Sequence, residues 1–578
     1  METIVAGIVI IAIVVAVSYW PFGRKEHKRY YFAANEVVFQ ITHPATTTPA
    51  EIVTAMQSFL KSQGNVSQQG NFSQQVQVGV GNISPGNSNW RNRLKPPTLE
   101  NSRIITFPSL DGETFSLVTI SLAPFSLIPI RLGGHRKKDL RPKDVIRVLN
   151  GAYAELPNGS LVIGEGISLQ SISPNWFAKN LHHGGPTGGP GSWPLDVPAL
   201  QQPGTGTSSQ ISEREFRLAG PMESLKPHKD RIPNGEVHVA ILDTIPTKNL
   251  EQAAQGLINS SADPLIQYLF NSLDIHPYSN PAELTGLNGY TSPPYHYEMP
   301  DHGTFIAGII HTIAPKATLH LYEVLNSFGL GTLTSMAQGL IDAVNDHKSR
   351  GNFPLMVHCS FMLDLVTQNG VSNLNQELNL TDPKISGSLT KSTLGVLTWV
   401  TSLKNVVVVA AAGNDAGQGV RPYASYPAAF RGVVGVGALP KEYPTSTYPS
   451  GQYYIPASYS NFSYDPQNKL PGDGFMTFGG ELDMPRPING VPTSTKGVLG
   501  VYVGKLVKNS ANANVNNLQL SPSSIGWARW AGTSFAAPII TGLLAAQPGD
   551  ASISTIPPAP AVQPFTAEGE NVIIVNQG

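Results

Sequence analysis

The sequence predicts an α/β fold with a central, mostly parallel sheet, preceded by a smaller α+β unit. Three observations carry that reading. Apolar runs of five to eight residues recur at 236–242, 318–324, 354–360, 406–412 and 433–438. Helical patterns at 250–259, 263–273, 302–312, 332–347, 389–403 and 534–546 stand between or after them. Strands alternating with helices build parallel sheets whose strands are buried on both faces. Upstream, shorter strand and helix patterns follow one another in a different order, and a Gly/Pro-rich stretch separates the two regions.

The 578 residues exceed a single typical domain. Lys and Arg number 38 against 39 Asp and Glu, so no whole-chain field draws in nucleic acid, which is not expected as a partner. Only 13% of residues are charged, glycine (56) and proline (48) are plentiful, and 41% are hydrophobic. That balance describes a loop-rich folded protein rather than a disordered one. The single cysteine, Cys359, excludes an intrachain disulfide and a cysteine-based zinc site.

Taken in order, residues 1–29 hold an apolar run and its basic flank. Ile4 to Trp20 carries no charge, is just long enough to cross a bilayer, and ends on Tyr19-Trp20 before Pro21. It reads as a single-pass membrane anchor; a cleaved signal peptide is the rival, with Ala16-Val17-Ser18 as its cleavage site but no basic residue ahead of the run. Arg24, Lys25, Lys28 and Arg29 place the body of the chain on the cytoplasmic side by the positive-inside rule. Residues 30–175 show a strand at 36–42, a helix at 48–63, strands at 74–80 and 114–122, a helix at 142–149 and a strand at 161–169. That order, βαββαβ, is the ferredoxin-like pattern. Residues 176–232 form an entry segment in which 182–210 collapses to Gly, Pro, Ser and Thr, with GGPTGGPGSWP at its centre; it reads as a linker open to cleavage between about 175 and 232. The α/β unit occupies 233–547, and 548–578 is a Pro/Ala/Ser tail read as flexible or surface-docked, with one strand-like end at 571–576.

Four residues at element boundaries carry chemistry. Asp243 ends an apolar run (VHVAILDT), His302 opens a helix (DHGTFIAGII), Asn414 follows a second apolar run (NVVVVAAAGND), and Ser534 stands where a loop becomes a helix (AGTSFAAPIITG). Taken singly they are a turn aspartate, a structural histidine, a turn asparagine and a serine N-cap. Taken together they are a set. A hydroxyl at a helix N-terminus sits among unpaired N–H donors that favour a developing oxyanion. A half-buried Asp243 stays ionised only if strongly hydrogen-bonded, and a histidine N–H and the Thr244 hydroxyl are the expected donors.

In this order, Asp, His, Asn, Ser, the sequence resembles the subtilisin-like serine proteases, the subtilases, over roughly Val237 to Gln547. The resemblance implies a three-layer αβα domain and a serine endopeptidase. Asp243, His302 and Ser534 would form its triad, with Asn414 as oxyanion donor. Polypeptides are then the substrates. Ala411, Ala412 and Gly413 would wall the pocket for the residue before the scissile bond. Ser360, Phe361 and Met362, with Gly329, Leu330 and Gly331, would form two edges between which an extended peptide adds as a strand. Residues 30–175 resemble a subtilase propeptide, an intramolecular chaperone and inhibitor that leaves its last strand and tail in the cleft. Since subtilases mostly work outside the cytoplasm, the side of the membrane stays open.

The sequence departs from the family at Ile245-Pro246, at Phe305 in place of a second histidine, at Ile539 in place of the histidine after the helix proline, and at Met362 in place of a cleft glycine. No cofactor is required. Calcium often stabilises subtilases, but Asp465, Asp473, Glu481 and Asp483 match no binding-loop spacing, so no metal is assigned. An esterase of the α/β-hydrolase type fails because its aspartate and histidine would follow the serine. An inactive subtilase-like binding module at a membrane is the alternative. An imidazole base must be neutral to take a proton, so hydrolysis is expected to fall below roughly pH 6 to 7.

Overall fold

The computed structural model describes residues 32–66, 103–108, 113–121, 160–180, 192, 194–196, 215–218, 222–232, 235–247, 263–287, 298–351, 354–363, 383–417, 421–441, 445–448, 451–466, 473–483, 493–507, 520–523, 525–547, 554–555, 566 and 570–577. By contact the chain divides into two units, Met1–Phe177 with Leu365–Val396, and Ala178–Asp364 with Leu397–Gly578.

In the first unit, β1 (Phe32–Pro44) leads into α1 (Pro49–Val66), followed by β2 (Arg103–Phe107), β3 (Glu113–Ser121), β4 (Leu161–Gly164) and β5 (Ile167–Asn180). The order β5-β1-β3-β2 is antiparallel throughout, as a ferredoxin-like sheet requires. Thr48 starts α1: its hydroxyl receives the Glu51 N–H while the Glu51 carboxylate receives the Thr48 N–H, a reciprocal cap. The apolar face of α1 (Ile52, Ala55, Met56, Phe59) packs on Phe39, Ile41, Val118 and Leu169. The strand beside β3 is 103–107; the strand expected at 74–80 and the helix expected at 142–149 lie outside the described residues. The closing strand expected over 161–169 is a hairpin, because Gly166 at φ +66° turns the chain between β4 and β5.

The second unit is built on an eight-stranded sheet. Its order is Asn571–Val572, Gly474–Phe478, Val433–Leu439, Val406–Ala411, Leu355–Cys359, His238–Asp243, Thr318–Glu323 and Asp274–His276. Every pairing is parallel. The central strands are buried along their whole length, which is why they read as continuous apolar runs. Helices fall at Pro264–Asn271, His302–Ile313, Leu333–Ser349 and Thr533–Ala545, within a few residues of expectation. The helix expected at 389–403 is Pro383–Ser402, whose residues are divided between the two units at Val396; the stretch 250–259 lies outside the described residues.

One connecting segment differs from expectation. Within the stretch read as a linker, Leu195–Asp196 forms a strand between Trp527–Trp530 and Lys505–Val507. The Trp530 indole donates to the Ser192 carbonyl, and Ala531 N–H donates to the Ser192 hydroxyl at 2.7 Å, so partners from elsewhere order what composition alone does not. The C-terminal tail takes the docked form of its two expected readings over 570–577, with the strand-like end formed. Asn571–Val572 extends the central sheet beside Gly474–Phe478, the buried Glu570 carboxylate accepts from the Ser463 amide and hydroxyl, and Gln577 brackets the Leu499 backbone. Among the described residues no helix is long and apolar enough to cross a membrane; Ile4 to Trp20 lies outside them.

Candidate active site

Parallel strands deliver their C-terminal residues to one edge of the sheet, and ligands gather there. Asp243 is the last residue of its strand, and Asn414 lies three residues beyond the strand Val406–Ala411. His302 and Ser534 lie in the first turns of two helices that pack on each other. Asp243, His302 and Ser534 are each 0% exposed and Asn414 is 1% exposed.

The first pair meets directly. His302 Nδ1 lies 2.8 Å from Asp243 Oδ1, which also accepts the Thr244 N–H at 2.7 Å. The expected Thr244 hydroxyl is used elsewhere: it donates towards the Met299 and Pro300 carbonyls and accepts the Gly303 N–H. A backbone amide replaces it because it is fixed by the strand end, while the hydroxyl is drawn to the loop that enters the His302 helix. Asp301 holds that loop from the other side. Its Oδ2 accepts the Val503 and Gly504 N–H groups at 2.8 Å each. Phe305 fills the position of the family's second histidine with apolar packing: its ring lies 4.8 Å from Phe535 and 5.5 Å from Trp530, and Trp530 stands edge-on to His302 at 5.3 Å.

Ser534 and Asn414 are each oriented by a neighbour. The Ser534 hydroxyl donates to the Ser360 carbonyl at 3.3 Å. Asn414 Oδ1 accepts the Thr533 N–H at 2.9 Å and the Thr533 hydroxyl at 3.0 Å, and that hydroxyl in turn accepts the Gly413 N–H at 3.2 Å. With the carbonyl half of the amide committed to Thr533, the half able to serve an anion is its NH2. Asn414→Ala is expected to lower kcat by about 10²- to 10³-fold with little change in KM, measured on a peptide amide. Equal kcat in both proteins would remove the oxyanion role.

A second buried histidine lies beneath the serine. Pro538 has no N–H to give the Ser534 carbonyl one turn back, and the Ser360 hydroxyl donates to it instead at 3.0 Å. His358 Nε2 lies 2.7 Å from that hydroxyl, and its Nδ1 lies 2.8 Å from the Thr541 hydroxyl. In this row Nε2–H donates to Ser360 and Ser360 donates to Ser534, while the single Thr541 proton has both His358 Nδ1, at 2.8 Å, and the Ala537 carbonyl, at 3.1 Å, as acceptors. Burial, with His302 nearby adding to it, pushes the His358 imidazole down to about 3. The unfolded chain therefore binds a proton at this residue below about pH 6.5 while the folded chain does not, and stability rises with pH across that window. Between about pH 6.5 and 3 the loss on acidification is expected to reach up to about 1.4 kcal/mol per pH unit, and His358→Asn should flatten the slope seen in urea titrations. Parallel slopes for the two proteins would contradict it. Cys359, next along the strand, has its thiol pushed up by burial and by Asp243, and is chemically inert.

The expected cleft edges also assemble. Phe361–Leu363 pairs antiparallel with the end of β5, setting Asn180 opposite Phe361, Lys179 opposite Met362 and Ala178 opposite Leu363. Leu330–Thr332 forms a short buried strand. Gly331 admits no side chain, since a Cβ there would stand 2.1 Å from the Val324 carbonyl. Gly329 sits at φ +71°, in the turn that Asn326 closes by accepting the Phe328 and Leu330 N–H groups. Ala411, Ala412 and Gly413 are buried; Gly413, at φ +122°, faces Asn461, which bonds the Ala412 and Asp415 oxygens. Glu481 and Asp483, considered above for calcium, serve the amides and hydroxyls of Ser458 and Thr495. Sequence reasoning passed over Thr533, Asp301 and His358. A histidine inside a wholly apolar strand was the signal for the last, because a buried ring must find partners.

A parallel α/β unit whose strand ends and helix starts gather an aspartate, a histidine, an asparagine and a serine defines a class of protein. The model of the Subtilase family matches residues 234–548, more than half of the chain, and the chain belongs to that family. It is 28% identical over 242 residues to the thermostable alkaline protease of Halalkalibacterium halodurans, covering 40% of this chain and 54% of that protein. It is 26% identical over 163 residues to subtilisin DY of Bacillus licheniformis, covering 27% and 48%. The chain spans about half the length of these curated relatives. Among solved structures it resembles sphericase, at 17% identity and a TM-score of 0.27, over 54% of this chain and 76% of that one.

Proposed function

We propose that the chain is a serine endopeptidase made as a precursor that its own N-terminal segment inhibits. The observation that supports this most is the buried 2.8 Å contact between Asp243 and His302, beside the helix that carries Ser534. In the proposed reaction the Ser534 hydroxyl leaves the Ser360 carbonyl and turns to His302 Nε2, which takes its proton as Oγ attacks a peptide carbonyl. Asp243 holds the imidazole by Nδ1–H and stabilises its charged form. The Asn414 NH2 and the Ser534 N–H receive the oxyanion. His302 then passes the proton to the leaving amine, and water releases the acyl group by the same path.

Peptide substrates would pair with Phe361–Leu363 as the end of β5 does, so that segment and a substrate compete for one edge. Self-processing is expected between about residues 175 and 232, where the end of β5 passes into the Gly/Pro-rich stretch. A mature N-terminus within that window supports it; an uncut chain that is fully active rules it out. The apolar run Ile4 to Trp20 would tether the precursor to a membrane until this cut frees the catalytic unit. Retention of the uncut chain in carbonate-washed membranes tests the tether.

The deciding experiment is to incubate wild type and Ser534→Ala with casein and a serine-directed phosphonate, and to sequence the new N-termini. Labelling of wild type alone, with new casein ends, is the expected result. A wild type that is neither labelled nor active after removal of residues 1–181 would leave only a binding module.

A further inference from the structure

We propose that Asp274, His276 and His320 form a binding site for one divalent transition-metal ion of the zinc class. The backbone brings them together. Asp274 and His276 lie two apart on an edge strand and so share a face, and His320 is the cross-strand partner of Asp274. Asp274 Oδ2 is 2.9 Å from His320 Nδ1 and 3.3 Å from His276 Nε2, and the three ligand atoms all lie within 4.8 Å of one another. A tetrahedral ion with bonds of about 2.0 to 2.1 Å holds its ligand atoms about 3.3 Å apart.

Each histidine also has the outer partner that a metal-bound imidazole needs on its other nitrogen. His320 Nε2 lies 3.0 Å from His238 Nδ1, and His238 Nε2 lies 3.8 Å from Glu236 Oε1. His276 Nδ1 lies 3.4 Å from Asp346 Oδ2, which accepts the Tyr322 hydroxyl at 2.6 Å. His276 Nε2 is a buried atom with no hydrogen-bond acceptor or donor of its own. Arg350 lies 3.1 Å from the same Asp274 oxygen; that oxygen has a second lone pair, and the guanidinium, 41% exposed, can swing to water.

Two imidazoles and one carboxylate select a transition ion over calcium or magnesium, which take oxygen ligands. Asp274 is 43% exposed, so water completes the shell. The ion would pin the three-residue edge strand to its neighbour, a structural role separate from the serine chemistry.

The test uses the untagged full chain, stripped with EDTA and dialysed against zinc, with bound metal counted by plasma mass spectrometry. About one ion per chain is expected, with the visible spectrum of four-coordinate cobalt on substitution and a raised Tm. The His276→Ala/His320→Ala pair should weaken binding at least 100-fold, and His238→Ala by about 10- to 100-fold. Should the double variant fail to fold, zinc protection of His276 and His320 from diethylpyrocarbonate in wild type gives the same answer. Absence of bound zinc in wild type, wild-type affinity in the folded double variant (as for an ion on His182 and His183), or equal labelling with and without zinc would each overturn the site.

Discussion

Replacing Ser534 with alanine is expected to lower kcat on a peptide substrate by about six orders of magnitude and to leave the precursor uncut. The change removes the only atom proposed to attack the carbonyl, and no neighbouring hydroxyl can stand in. The Thr533 hydroxyl is committed to Asn414, and the Ser360 hydroxyl to the Ser534 carbonyl. The variant should fold normally. What it gives up is a single 3.3 Å hydrogen bond to the Ser360 carbonyl, worth about 1 kcal/mol or less at that length. Matching urea midpoints for the two proteins, with activity on one side only, is the expected pair of measurements. Residual hydrolysis above about a thousandth of wild type, after purification from other proteases, would place the nucleophile elsewhere.

Gly303→Ala should lower both activity and stability through geometry alone. A Cβ at this position would stand 2.3 Å from the Thr244 carbonyl oxygen, 2.8 Å from Leu321 Cδ1 and 3.1 Å from Asp243 Cβ. The first contact is with backbone at the end of a central strand and cannot move aside. The start of the His302 helix must retreat instead, yet it is tied by His302 N–H to the Met299 carbonyl and by Asp301 to Val503 and Gly504. Overpacking of this kind destabilises by about 1 to 3 kcal/mol, and a displacement of about 1 Å between reacting groups lowers kcat by about 100-fold. The Asp243–His302 bond, at 2.8 Å, is the contact that should lengthen. Wild-type kcat and Tm in Gly303→Ala would show that the close approach is not what sets this pair.

Much of the second unit was legible because its signals are local. A strand buried on both faces must be apolar throughout, as Val406–Ala411 is, and the nucleophile proposed at a helix start needs small neighbours, as Gly532 and Thr533 provide. Positions 103–107 show the limit in the N-terminal unit. RIITF carries no strict alternation to mark it as a strand, and it becomes one by pairing with β3. The partners that order the linker and the tail were not legible for the same reason. Glu570, Asn571 and Ser192 are polar residues in weakly patterned stretches, and their order comes from Ser463, Gly474 and Ala531 far away in sequence.

The amino-acid sequence by itself determined the alternation of strands and helices and the four residue types at their boundaries, since backbone burial and helix starts impose these through neighbours in the chain. Tertiary structure alone decided that Thr244 serves Asp243 through its amide, that Thr533 turns the Asn414 amide, that Pro538 hands the Ser534 carbonyl to Ser360 and His358, and that Asp274, His276 and His320 converge. Each of these is a short-range directional bond between groups remote in sequence, and such bonds form only once the sheet has set its register.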